Sequence, residues 1–179
     1  MGLEIERRFL ITKPENIPPL KNPKQIIQCY PPINVWRNLW PGDLKDVEYL
    51  FEDKYLVLRI RVVDDLGIVT IKGGGDGIIR EEFEEVGDLS EIMSVIDSNL
   101  FPTITKKRYN LLDDSGLIWE IDFFENEYRG LIIAEIELPR IDYPIKIPKW
   151  TNKEITNNGN EWSNFSLAIK SHQKNNVFD

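Results

Sequence analysis

The chain has 179 residues, 41% of them apolar, and its 30 acidic against 22 basic side chains leave a net charge of −8. A chain of this length buries one sizeable core, and no Ser/Gly-rich linker or charge block divides it, so a single domain over 1–179 is expected. The acidic balance disfavours a nucleic-acid surface, which draws its affinity from excess base, and no apolar run approaches the roughly 18 residues that a membrane span needs.

Cys29 stands alone, so an intrachain disulfide is impossible. The first segment is charged where a secretory signal would be apolar, so a cytoplasmic protein with one buried, inert thiol is expected. Residues 3–11 read as a strand in which Glu4, Glu6 and Arg8 hold alternate positions and share one face, with Leu3, Ile5 and Phe9 on the other. Strands follow at 25–30 and 47–51, then at 55–63, where Arg59 and Arg61 alternate with Leu58, Ile60 and Val62. After an Asp65-Leu66-Gly67 turn, a strand at 67–73 places Thr70 and Lys72 around Ile71. The glycine-rich stretch 73–77 reads as a hairpin connection, because no Lys-Ser/Thr and helix follow it as a phosphate-cradling loop requires. A strand at 79–86 carries Arg80, Glu82 and Glu84 on one face. Asp88 and Glu91 then make a capping-box-like start to an amphipathic helix over 89–99, with Leu89, Ile92, Met93, Val95 and Ile96 at helical spacing. Strands at 103–112, 117–124 and 131–138 carry Lys106 and Arg108, Glu120 and Asp122, and Glu135 and Glu137 in the same alternation. A second helix is expected over 163–172, with His172 on its surface and no Cys or His companion to bind a metal.

An antiparallel sheet with one wet side alternates in this way routinely. Solvated faces, however, mix Ser, Thr, Asn, Gln and Lys, whereas these hold eight carboxylates and seven cations, five of the cations Arg. Arg is favoured where a phosphate must be gripped by a rigid fork of donors, and paired carboxylates suit a hard divalent cation. Closed into an antiparallel barrel, such strands would line a bore with charge and leave their apolar faces to helices or neighbours; an open sheet with a charged concave face fits the pattern equally. A barrel for greasy ligands does not, since its interior would be apolar. The inward set carries one more negative than positive charge, so a metal ion and a polyanion should bind cooperatively.

The ordered motifs resemble the CYTH superfamily of triphosphate tunnel metalloenzymes. They are Glu4-Ile5-Glu6-Arg7-Arg8, Arg59-x-Arg61, Thr70-Ile71-Lys72, Arg80-x-Glu82-x-Glu84, Lys106-x-Arg108-Tyr109, Trp119-Glu120-Ile121-Asp122 and Ala134-Glu135-Ile136-Glu137-Leu138, followed by Glu154-Ile155-Thr156 and Ser163-Asn164. The resemblance implies a mainly β fold, an eight-stranded antiparallel tunnel with a charged interior and a few peripheral helices. It also implies hydrolysis of inorganic tripolyphosphate or an organic triphosphate with Mg2+ or Mn2+. Glu4 and Glu6 would be metal ligands, joined by Glu135 or Glu137, with Asp122 a further candidate. Arg8, Arg59, Arg61, Lys72, Arg80, Lys106 and Arg108 would contact phosphate. Glu4, Glu6, Arg8, Lys72, Glu82 and Glu84 make up the candidate catalytic set, although Glu82, Glu84, Glu120 and Asp122 serve equally as ion-pair partners that orient the cations.

Other readings of the chain are an adenylate cyclase or thiamine triphosphatase of the same superfamily, a non-catalytic polyphosphate or nucleotide-binding module, and a solvent-exposed structural sheet. Two departures from the superfamily pattern stand out. Gln28-Cys29-Tyr30-Pro31 replaces a Gln-Gly-Tyr-Leu phrase, and 31–53 is an insertion containing Trp36, Trp40, Tyr49 and Phe51, expected as an extra hairpin or a lid at a tunnel mouth. The oligomeric state is not legible.

Overall fold

The computed structural model describes residues 2–73, 79–156 and 159–175, and their side chains except at 2–4, 79–80 and 159–160. Eight strands form: β1 (Gly2–Leu10), β2 (Lys24–Cys29), β3 (Val57–Val63), β4 (Leu66–Gly73), β5 (Ile79–Val86), β6 (Thr103–Leu112), β7 (Ile118–Phe124) and β8 (Ile132–Glu137). They close into an antiparallel barrel in the order β1-β5-β4-β3-β2-β6-β7-β8. β1 makes the closure by dividing its length: Gly2 to Ile5 pair with β5, and Glu6 to Leu10 pair with β8. Beyond Ile79 the tail takes over the β5 side of β1. Leu10 N donates to Lys153 O at 2.8 Å and Ile155 N to Arg8 O at 2.8 Å, and outside the barrel Arg7 grips Glu154 with two bonds of 2.8 and 2.7 Å.

The expected strand at 47–51 is not one: Glu48–Glu52 is a 3-10 helix. Tyr49, Leu50 and Phe51 favour a strand locally, but a closed barrel offers no free edge to pair with, and a 3-10 turn buries Val47 and Leu50, three residues apart, on one side. The insertion 31–53 is likewise neither a hairpin nor a lid. It folds as α1 (Ile33–Leu39) and two 3-10 turns, Leu44–Asp46 and Glu48–Glu52. Its Trp36, Leu39, Trp40 and Leu50 pack with Leu58, Ile60, Val69 and Ile71 on the outer face of β3 and β4, and Trp36 Nε1 donates to Thr70 O at 3.0 Å. α2 (Leu89–Asp97) covers the same face, capped by Asp88, whose carboxylate accepts from Glu91 N at 2.9 Å. It stops two residues earlier than its apolar spacing suggests, as the chain turns left-handed at Asn99, φ 56°. β4 approaches α2 closely at Gly67, where a Cβ would lie 2.8 Å from Ile92 Cδ1 and 3.2 Å from Leu89 Cα.

The outer face of β1, β7 and β8 buries Ile5, Phe9, Trp119, Ile121 and Ile136 with Trp150. A third cluster lies in the bore itself. Tyr30, Ile104, Phe124 and Ile133 sit two residues from Gln28, Lys106, Asp122 and Glu135, so they share the inward register, and they pack with Ile155 and with Leu167 and Ala168 of α3 (Asn164–Asn175). That end of the bore is therefore filled with apolar side chains. Among the described residues no helix is long and apolar enough to cross a membrane.

Candidate active site

The alternation of the strands delivers two charged walls to the bore. On the first, the ladder sets Arg59 opposite Thr70, Thr70 opposite Glu84 and Lys72 opposite Glu82. Arg59 Nη2 donates to Glu84 Oε1 at 2.8 Å, Glu82 Oε1 at 3.2 Å and Thr70 Oγ1 at 3.3 Å. Arg61 Nη2 reaches both oxygens of Glu84, at 2.8 and 3.0 Å, and Lys72 Nζ lies 3.1 Å from Glu82 Oε1. Burial raises the Glu84 carboxyl, but Arg61 and Arg59 outweigh it and hold it down to about 2. Burial, then repulsion by Arg59, lowers the Arg61 guanidinium to about 10, and Arg108 adds to the repulsion from the second wall.

On that second wall, built from β1, β6, β7 and β8, Arg108 stands opposite Asp122 and Arg8 opposite Glu135. Arg108 grips Asp122 with two bonds of 2.6 Å, donates to Glu135 Oε2 at 2.9 Å and also pairs with Glu120. Arg8 Nε donates to Glu135 Oε1 at 2.9 Å, and its Nη2 to the Trp162 carbonyl at 2.8 Å. Lys106, fully buried, donates to Asp122 Oδ2 at 2.5 Å and to Asn164 Oδ1 at 3.2 Å. Burial pushes its ammonium down to about 8 despite Asp122. Burial also opposes the charge on Glu135, yet Arg8, Lys106 and Arg108 together hold its carboxyl far below the usual range.

The candidate residues whose side chains are described thus gather on one inward surface. The side chains of Glu4 and Arg80 lie outside the described residues, though their backbones pair directly, Glu4 to Arg80. Glu6 and Glu137 face each other across β1 and β8. Among the described residues no three carboxylates converge as a ready cation cage; Asp122 and Glu135 are turned towards cations instead. The donor set still fits a hard divalent ion. Its groups are all carboxylate oxygens, and two carboxylates placed directly opposite repel each other, a cost that a shared cation would remove.

Three contributors received no role from the sequence, although Thr70 and Asn164 stand within its motifs. Thr70 is fully buried and donates to Glu84 Oε1 at 2.9 Å; its shared register with Lys72 was the available signal. Asn164 and the Trp162 carbonyl reach Lys106 and Arg8 from the tail, and no local pattern announces a contact across so many residues.

A curated relative decides the family. The chain is 35% identical over 159 residues to an inorganic triphosphatase of Acetivibrio thermocellus, a match covering 87% of each chain. The chain belongs to the CYTH superfamily of triphosphate tunnel metalloenzymes. No protein-family model matches it. Among solved structures, the inorganic triphosphatase NE1496 superposes with a TM-score of 0.61 at 21% identity, over 94% of this chain and 96% of that one; this likeness is one of fold. Membership accounts for the eight inward-lined strands and for the survival of every charged motif of the superfamily beside an insertion that lies wholly on the outer wall.

Proposed function

We propose that the bore hydrolyses a terminal phosphoanhydride of a triphosphate, with Mg2+ or Mn2+ as cofactor. The observation that carries this reading is a pair of cationic walls facing one cavity, Arg59, Arg61 and Lys72 on one and Arg8 and Arg108 on the other, each held in position by carboxylates. A polyphosphate chain presents non-bridging oxygens on all sides, and fixed guanidinium forks on both walls suit it better than one cationic patch does. The name of the Acetivibrio thermocellus relative supports the same reaction.

Charge spread over the transferring phosphoryl group is what such a site must stabilise. Glu82 and Glu84 hold Arg59, Arg61 and Lys72 on the bore side; on binding, phosphate oxygens take over those donors. Arg8 and Arg108 stay anchored to Glu135 and Asp122 and orient the far end of the substrate, with Lys106 bracing Asp122 from beneath and Arg80 a further contact. A divalent ion held by Glu4, Glu6 and Glu137, with Glu135 and Asp122 at hand, would neutralise phosphate charge and make a bound water more acidic.

Phosphate release from tripolyphosphate, measured with Mg2+, with Mn2+ and in excess chelator, tests the proposal. Activity should require the metal, and Glu6→Gln should abolish it while the melting temperature holds. Full turnover in chelator, or in Glu6→Gln, sinks the metalloenzyme reading.

A further inference from the structure

The bore is apolar at one end, and the residues at its other end are unexpected beside a charged interior. Leu66, Val86, Leu112 and Ile118 are 46%, 62%, 68% and 48% exposed, and all lie at strand ends or hairpin tips remote from the α3 cluster. Their neighbours settle which way they face. Gly67 and Gly87 pack outwards against Ile92 of α2, while Leu111, Leu117 and Trp119 belong to the outer cluster around Trp150. Alternation then turns Leu66, Val86, Leu112 and Ile118 to the bore side.

Each continues a charged row: Val86 follows Glu84 by two residues, Ile118 precedes Glu120 by two, and Leu66 and Leu112 stand four from Thr70 and Arg108. Across the ladder Val86 stands level with Arg61, both opposite Ile68, while Leu66 lies two residues beyond Arg61 and Leu112 four beyond Arg108, roughly 7 and 14 Å at about 3.4 Å per residue. Around the ring they make two lips, one on β4 and β5 and one on β6 and β7, separated by two strands on either side. Glu6 and Glu137 occupy one of the gaps.

We infer that these lips form a binding subsite for an apolar organic group esterified to a triphosphate, so that the preferred substrate is an apolar or aromatic triphosphate ester. The inference rests on the triphosphate reading of the bore. A bare tripolyphosphate makes only polar contacts and gains nothing from an aliphatic rim. A triphosphate ester entering by this mouth places its phosphates among Arg59, Arg61 and Arg108 and lays its organic group between Leu66 and Val86 on one side and Leu112 and Ile118 on the other. Removing that apolar surface from water then favours binding.

Methyl triphosphate and phenyl triphosphate carry the same charge and differ only in the apolar group, so their comparison isolates the lips. Phenyl triphosphate should show about 10-fold higher kcat/KM and about 10-fold tighter calorimetric binding than methyl triphosphate. A Val86→Ser/Leu112→Ser variant should lose that preference with its melting temperature and its tripolyphosphate turnover unchanged. Equal constants for the two esters in the parent protein overturn the inference, as does a preference that survives the substitutions. A parent that binds phenyl triphosphate preferentially yet hydrolyses no triphosphate refutes the hydrolase reading and leaves the lips standing. Sedimentation supplies the remaining arm: a parent dimer that the two substitutions dissolve makes the lips an interface between copies, and the inference fails.

Discussion

The two walls of the bore are built from the same residue types and differ in depth. On the β6 to β8 side, Lys106 and Asp122 have side chains 0% exposed, and Arg108 holds three carboxylates at once. On the β3 to β5 side the shared carboxylate, Glu84, is 34% exposed, and two arginines compete for it. A buried pair is costly to assemble and costlier to break, whereas a pair whose carboxylate is a third exposed loses less when broken and exchanges partners more readily. The deep wall therefore behaves as a fixed anchor and the shallow wall as the side that yields its cations to an incoming anion.

The largest expected effect comes from the anchor. Asp122→Ala leaves the buried Lys106 without its carboxylate and strips Arg108 of its bidentate partner. A loss of about 3 to 5 kcal/mol is expected, or a fall in melting temperature of roughly 6 to 20 °C for a chain of this size. Glu84→Gln on the shallow wall should cost less, about 1 to 2 kcal/mol, since solvent partly screens the lost charge and Arg59 keeps Glu82. Thermal unfolding of both variants without ligand, in chelator, checks the pair. Equal losses would erase the distinction between the walls.

Much of the barrel is legible because a strand's period of two assigns each residue to a face. Once Arg59, Arg61, Glu120, Asp122 and Glu135 share the inward face, Leu58, Ile60, Trp119, Ile121 and Ile136 must be covered outside, and they are. What alternation cannot carry is closure. Tyr49, Leu50 and Phe51 have strand-like side chains, and only the absence of an open edge turns them into a 3-10 helix against the wall. The site has the same limit. Arg8, Glu135 and Arg108 are legible as inward residues, but the depth that divides anchor from shallow wall depends on α3, whose Leu167 and Ala168 fill the bore and whose Asn164 reaches Lys106. Nothing in the helical spacing of that segment says whether it packs outside the barrel or at its end.

Acid should distinguish the walls by a smaller margin. Glu84 is held at about 2 in the folded chain against an ordinary value of 4.5. The folded state binds its proton less readily than the unfolded state does, so the stabilisation is complete above about pH 4.5 and disappears as pH falls towards 2. The stability difference between the parent and Glu84→Gln should therefore shrink over that window and vanish near its lower end, as followed by denaturant unfolding at successive pH values. A difference that stays constant from pH 6 to pH 2.5 would show that Glu84 acts by packing and not by charge.

Arg61→Ala should change stability least of all and binding most selectively. Burial and the neighbouring Arg59 both disfavour the Arg61 charge, as does Arg108 across the bore, and one carboxylate shared with Arg59 is its main compensation. Removing the guanidinium relieves that repulsion and lets Glu84 turn wholly to Arg59, so the ligand-free melting temperature should hold or rise. Tripolyphosphate loses a donor in the same step, and its affinity, read by calorimetry, should fall about 10-fold, the cost of one charge-assisted hydrogen bond. A drop of several degrees in the ligand-free protein would instead make Arg61 part of the scaffold. The shallow wall would then be as fixed as the deep one, and the anchor-and-grip division would collapse.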